Sequence, residues 1–234
     1  MQISIILPVY SETNSVIETV QLINALLPRE VLKEIIMVVS PRSTEESVLI
    51  CKRLSQQYSF INYIIQANNP GIGWAFREAF GRVQGSHVLM MASDGETDPR
   101  AIALMIQKAK ETGCDIVTAN RWAKGGGFEG YNVLKKFLNF IFQRTIGTMY
   151  SRKINDYTYA YRLYKIEALK GHAWKETKHP FLLESLLRPL KKGFTVEQIP
   201  VKWHARKEGK SKNTFWQNFE YINTALGIYF ERQG

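Results

Sequence analysis

Between residues 3 and 119 the chain alternates short unbroken apolar runs with stretches whose apolar residues recur at helical spacing. Few folds accept that rhythm. The runs 3–9, 34–39, 61–67, 87–92 and 115–119 predict strands buried on both faces, because a half-solvated strand would alternate polar and apolar residues instead. The intervening helices are predicted with Val16, Val20, Ile23 and Leu27 on one face, then over 44–58, 74–83 and 99–112. Such an order predicts the α/β class, a Rossmann-like, mostly parallel sheet flanked by helices. After Ala119 the rhythm changes. Residues 120–129 include Gly125, Gly126 and Gly127 and predict a mobile loop. A helix over 131–149 carries Leu134, Phe137, Leu138, Ile141, Phe142 and Ile146 on one side, with Lys135, Lys136 and Arg144 among the rest. A strand over 157–164, a short helix over 181–190, a final strand over 194–203, a basic loop over 206–212 and a helix over about 214–230 complete the reading. No repeat or strong linker divides it, so residues 1–234 are expected to form one domain.

The 234 residues can bury a full core, and their net charge of +10 calls for an anionic partner. A nucleotide diphosphate, an anionic lipid surface and nucleic acid all qualify. Nucleic acid ranks last, since no recognised motif and no basic stripe with stacking aromatics occurs. Cys51 and Cys114 lie far apart in apolar segments and are expected as buried, reduced thiols of a cytoplasmic protein. The first residues lack a positive region and no apolar run is long enough to span a bilayer, so a soluble or peripheral protein is expected. The four histidines, His87, His172, His179 and His204, share no ligand spacing and are expected in structural or surface roles.

The segment His87-Val88-Leu89-Met90-Met91-Ala92-Ser93-Asp94-Gly95-Glu96-Thr97-Asp98-Pro99 carries the chemistry. A buried strand ends abruptly in acids, at the end of an open α/β sheet where ligands bind. Hard oxygen donors at alternating positions there suit Mg²⁺ or Mn²⁺ held against a diphosphate. The plainer alternative is a solvated turn, with Asp98 as a helix N-cap and Pro99 at the first helical position.

Taken with that segment, several others resemble the family 2 glycosyltransferases, in the branch of dolichyl-phosphate mannose synthase and the polyprenyl-phosphate glycosyltransferases. They are Ile6-Leu7-Pro8-Val9-Tyr10-Ser11-Glu12, Asn69-Pro70-Gly71-Ile72-Gly73-Trp74-Ala75, Arg121 with the glycine loop, 156–162, Phe181-Leu182-Leu183-Glu184, and Arg206-Lys207-Glu208-Gly209-Lys210-Ser211-Lys212. Their order and spacing, almost end to end, are more specific than any one of them. The resemblance implies a GT-A fold, with a nucleotide-sugar-binding half over 1–119 and an acceptor-binding half over 120–234. It implies transfer of a sugar from a nucleotide diphosphate donor, such as GDP-mannose or a UDP-sugar, with inversion and divalent-metal assistance. By motif position, Pro8, Tyr10, Glu12, Ala67 and Asp94 would frame the donor. Asp94 and Glu96 would hold Mg²⁺ or Mn²⁺. Arg121, Arg206, Ser211 and Lys212 would contact phosphates or the acceptor.

Such chemistry is reasonable in itself, because a departing diphosphate gathers negative charge that a cation and convergent Arg or Lys groups stabilise. A lipid-phosphate acceptor is already anionic and needs no general base. A hydroxyl acceptor would need one, with Asp156 or Glu184 the candidates beside Asp94 in the catalytic set. Two positions depart from the family pattern: Val39-Ser40-Pro41-Arg42 stands where an Asp-Asp-Gly-Ser segment is usual, and Ala92 replaces the first Asp of Asp-x-Asp. The expected acceptor is a polyprenyl or dolichyl phosphate, reached peripherally at the inner face of a membrane. Two alternatives stand beside it: a sugar hydroxyl in surface-polysaccharide synthesis, and nucleotide-sugar binding without turnover. Glu12 could instead cap a helix, the Arg206–Lys212 run could be merely solvated, and the glycine loop with its basic helix could be an acceptor lid near a membrane or a plain loop and core helix.

Overall fold

The computed structural model describes residues 1–69, 71–206 and 217–231. Within the first half, β1 (Ile3–Val9), α1 (Asn14–Leu26), β2 (Leu32–Val39), α2 (Glu45–Gln57), β3 (Ile61–Ile65), α3 (Ile72–Phe80), β4 (His87–Met90), α4 (Ala101–Thr112) and β5 (Ile116–Asn120) alternate as the periodicity predicts. The second half contains β6 (Gly127–Glu129), α5 (Val133–Met149), β7 (Arg162–Lys165), α6 (Phe181–Lys191), β8 (Val196–Pro200), β9 (Lys202–His204) and α7 (Gln217–Phe230). Seven strands form one sheet in the order β3-β2-β1-β4-β7-β5-β8, and β6 pairs with β9 in a separate ribbon.

The unbroken apolar runs have a simple cause. In β1, Ile3, Ile5, Leu7 and Val9 enter one core while Ile6 enters the other, and β2 divides Ile35, Met37 and Val39 from Ile36 and Val38 in the same way. The first core is closed by Val16, Val20 and Ile23 of α1, by Ile50 and Leu54 of α2, and by Ile102 and Met105 of α4. The second is closed by Ala75 and Phe76 of α3, Leu183 and Leu187 of α6, and Ala225 and Ile228 of α7. Each fully buried aliphatic side chain contributes about 1.5–3 kcal/mol, so both faces of the sheet matter to stability.

The sheet is mostly parallel as expected, with β7 alone of the described strands running antiparallel between β4 and β5. Several other expectations are corrected. The strand expected over 157–164 shrinks to β7, because side chains satisfy the backbone before it: Tyr157 N–H donates to Gln143 Oε1 at 2.7 Å and Arg162 Nη2 donates to Tyr157 O at 2.6 Å. The final strand is two. Past Pro200 the chain leaves β5, with Val201 N–H on Asn120 O, and β9 joins the glycine segment. The glycine segment is a hydrogen-bonded turn rather than an open loop. Asn120 Oδ1 accepts from Trp122 and Ala123 N–H, and a Cβ on Gly126 would lie 2.6 Å from Asn120 O. Asp98 is not the α4 N-cap: the helix begins at Ala101, and Asp98 Oδ1 closes a preceding turn by accepting Arg100 N–H at 3.0 Å. Helix α5 turns much of its predicted apolar stripe outward, with Leu134 66%, Phe137 59% and Ile141 46% exposed, and packs inward through Gln143, Ile146 and Gly147.

Candidate active site

Strand order reverses direction at β1, with β2 and β3 on one side and β4 on the other. Open α/β sheets place their ligand crevice at the carboxyl ends of such neighbouring strands. Here those ends carry Tyr10-Ser11-Glu12 and Ser93-Asp94-Gly95-Glu96. Ser93 Oγ donates to Pro8 O at 2.7 Å and Thr97 Oγ1 to Ala92 O at 3.0 Å, which ties the acidic turn to both strands. Gly95 adopts φ +85°, a conformation costly for any other residue, and the turn closes with Glu96 N–H on Asp94 Oδ1 at 3.1 Å. Two carboxylates two residues apart are thereby aimed at one guanidinium: Arg206 Nε and Nη2 lie 3.0 and 2.7 Å from Glu96 Oε1, and Nη2 lies 3.4 Å from Asp94 Oδ2.

Among the described residues the acids outnumber that cation. Asp94 is 7% exposed, and burial first, then the Glu96 charge, push its pKa up to about 6 despite the opposing pull of Arg206. Glu12 adds to that repulsion, while its own Oε2 accepts N–H bonds from Tyr10 and Ser11 at 2.6 and 3.0 Å. His179, just before α6, lies in the electrostatic field of Arg206 and Glu96; burial, then Arg206, lower its pKa and favour a neutral imidazole. Tyr159 supports the turn from below, its hydroxyl donating to Glu96 O at 3.0 Å.

The other expected site residues are placed differently. Arg121 and Asp156 meet each other: Nε to Oδ2 at 2.7 Å, Nη2 to Oδ1 at 2.8 Å, with Arg121 backbone N–H also on Oδ2 at 3.0 Å. The Asp156 side chain has no exposure and that of Arg121 has 7%. Glu184 is buried and accepts N–H bonds from Lys175 and Glu176 and Arg188 Nε at 2.6 Å, far from a free base in character. Ala67 donates its N–H to Glu78 Oε2. At the end of β2, Ser40 Oγ accepts Arg42 N–H and Ser43 Oγ donates to Val9 O, so a hydroxyl turn fills the place of the usual acids. Pro70, Ser211, Lys212 and residues 214–216 of the expected last helix lie outside the described residues. Sequence reasoning missed His179 and Tyr159, neither of which has a spacing signal, and Arg162, a buried cation that donates to the neutral acceptors Thr118 Oγ1, Leu182 O, Ser185 Oγ and Tyr157 O.

A divalent cation fits the acidic turn. One nitrogen, Arg206 Nη2, reaches both carboxylates, so one ion can touch both. Among the described residues no three His, Cys, Asp or Glu side chains form a complete metal cage. That donor set suits Mg²⁺ or Mn²⁺, which commonly take one or two carboxylates and complete their shell with phosphate oxygens and water.

The chain is 25% identical over 224 residues to a dolichol-phosphate mannosyltransferase of Pyrococcus furiosus, covering 95% of this chain and 62% of the relative. It is 25% identical over 220 residues to an undecaprenyl-phosphate 4-deoxy-4-formamido-L-arabinose transferase of Klebsiella pneumoniae, covering 92% and 63%. The chain spans 34–63% of the length of such curated relatives. In fold it is similar to glucosyl-3-phosphoglycerate synthase of Mycobacterium tuberculosis, solved with Mn²⁺, UDP and glucosyl-3-phosphoglycerate, at TM-score 0.72, 15% identity and coverage of 100% and 81%. That likeness bears out the GT-A fold. Residues 4–172 match glycosyl transferase family 2, and the chain belongs to that family.

Proposed function

We propose that the chain transfers a sugar from a nucleoside diphosphate donor, with Mg²⁺ or Mn²⁺, onto a polyprenyl-type lipid phosphate. The observation that carries the reading is the pairing of Asp94 and Glu96 on one cation at the strand-order switch. In this reading the two carboxylates would hold the metal, which when bound would neutralise charge on the departing diphosphate. Glu12, Tyr10 and Pro8 line the donor side. Arg206 supplies a fork suited to phosphate, and Ser211 and Lys212 belong to the same basic run.

Three features favour an acceptor that is already an anion. Asp156 and Glu184, the two candidate bases for a hydroxyl, are each held by a guanidinium. Two sequence relatives are named for dolichol phosphate and undecaprenyl phosphate. Helix α5 exposes Val133, Leu134, Phe137 and Ile141 beside Lys135, Lys136 and Arg144, a composition suited to an anionic bilayer surface. No helix among the described residues is long and apolar enough to cross a membrane.

A panel of radiolabelled nucleotide-sugars, incubated with the protein, Mn²⁺ and a crude lipid extract, tests the reading. A solvent-extractable, acid-labile product is expected. A water-soluble product would instead indicate a hydroxyl acceptor, and tight nucleotide binding without any product would indicate a binding protein.

A further inference from the structure

We infer that Arg206 is a built-in substitute for the metal ion, which occupies the acidic turn until a metal and a nucleoside diphosphate together displace it. The inference rests on the function proposed above and concerns the order in which that site fills. The carboxylates that would hold the ion, those of Glu96 and Asp94, are the ones the guanidinium already contacts, at 2.7 and 3.4 Å. A guanidinium and a divalent cation cannot share them, because like charges a few ångströms apart in a partly buried site repel strongly.

Metal entering alone must therefore evict Arg206 into water, with the loss of its two nitrogen contacts to Glu96. Metal arriving with a diphosphate meets a different balance, since the released guanidinium has a new anion to bind, in the geometry its planar fork favours. Metal and nucleotide then bind with positive coupling, and by linkage each tightens the other equally. Arg206 is on this account a positioning residue that suppresses binding of bare metal and reports the arrival of the donor.

The test is titration of the protein with Mn²⁺ alone, free ion being read by electron paramagnetic resonance, followed by UDP and GDP titrations at several fixed Mn²⁺ concentrations. Arg206→Gln should bind Mn²⁺ alone about five- to tenfold more tightly than the unaltered chain, and its metal–nucleotide coupling should shrink by a similar factor. Arg206→Lys, which keeps the charge but loses the fork, should move the same way by less, and it serves if the glutamine variant folds poorly. Arg53→Gln, an exposed charge removal on α2, controls for net charge and should change neither quantity. Unchanged or weaker Mn²⁺ affinity in both Arg206 variants, with a normal Mn²⁺–nucleotide complex in the unaltered chain, would overturn the inference alone. Failure of the unaltered chain to bind Mn²⁺ with either nucleotide would overturn the proposed function itself.

Discussion

Two groups of charge lie past the carboxyl ends of β5 and β4, which β7 separates in this sheet, and they are neutralised in opposite ways. Beyond β5, Arg121 and Asp156 meet as a planar pair with two side-chain bonds, and Gln143, Thr158 and the Tyr159 N–H complete the surroundings. Beyond β4, Asp94 and Glu96, with Glu12 nearby, share the fork of Arg206 as their one cation among the described residues. Tyr159 joins the two groups: its ring lies 4.7 Å from the Arg121 guanidinium and its hydroxyl binds Glu96 O. A buried charge whose bonds are all made holds structure. A buried charge left short of counter-ions waits for a ligand. The first group therefore keeps the 156–161 segment and the glycine turn in register, so that the second can remain under-neutralised on a rigid base.

That contrast can be broken by mutation. The largest effect is expected at the saturated pair. Asp156→Ala leaves Arg121 buried without its counter-ion and should cost about 3–5 kcal/mol, read as a shifted denaturant midpoint. A loss under about 1 kcal/mol would mean that the pair is not structural. Asp94→Ala should do the reverse, lowering sugar transfer at least about a hundredfold while the melting transition persists. Retained transfer would remove Asp94 from the site.

Asp94→Asn sharpens the contrast through pH. The folded protein raises the Asp94 pKa from 3.8 to about 6, so this group's contribution to stability is full below pH 3.8 and is lost as pH rises through about 6. Asparagine does not titrate. The metal-free variant should therefore match the unaltered chain near pH 4 and exceed it by about 1–2 kcal/mol at pH 8. A stability difference independent of pH would contradict the shift. The smallest effect is expected from Glu96→Gln, which keeps one neutral oxygen ligand and should weaken Mn²⁺ binding in the presence of nucleotide by about tenfold or less. Calorimetric titration that finds equal affinity would assign the ion to other groups.

Much of this molecule is written in local pattern. Unbroken apolar runs and apolar residues at helical spacing located all five strands and four helices of the first half, because β1, β2, β4 and β5 are buried on both faces and each helix on one; β3, at the sheet edge, is the exception, with Ile65 exposed. The acidic turn was legible for the same reason: it interrupts a buried run. Pairings across long stretches of chain were not. Nothing local marks Arg121 for Asp156, 35 residues on, or Arg206 for Glu96, 110 residues away. Likewise the insertion of β7 between β4 and β5 and the passage of the chain past Pro200 from β5 to β6 are pairings between segments distant in sequence, which have no periodic signature. Residue type suggested that Asp156 and Glu184 were reactive. Their partners, chosen by packing, made both of them counter-ions.

The most direct measurement is an anomalous difference map from crystals soaked with Mn²⁺ and a nucleoside diphosphate. The account predicts a single strong peak bridging the Asp94 and Glu96 carboxylates, with Arg206 turned from Glu96 toward the diphosphate. A peak elsewhere, or those two side chains still paired with Arg206 beside a fully bound metal and nucleotide, would contradict it.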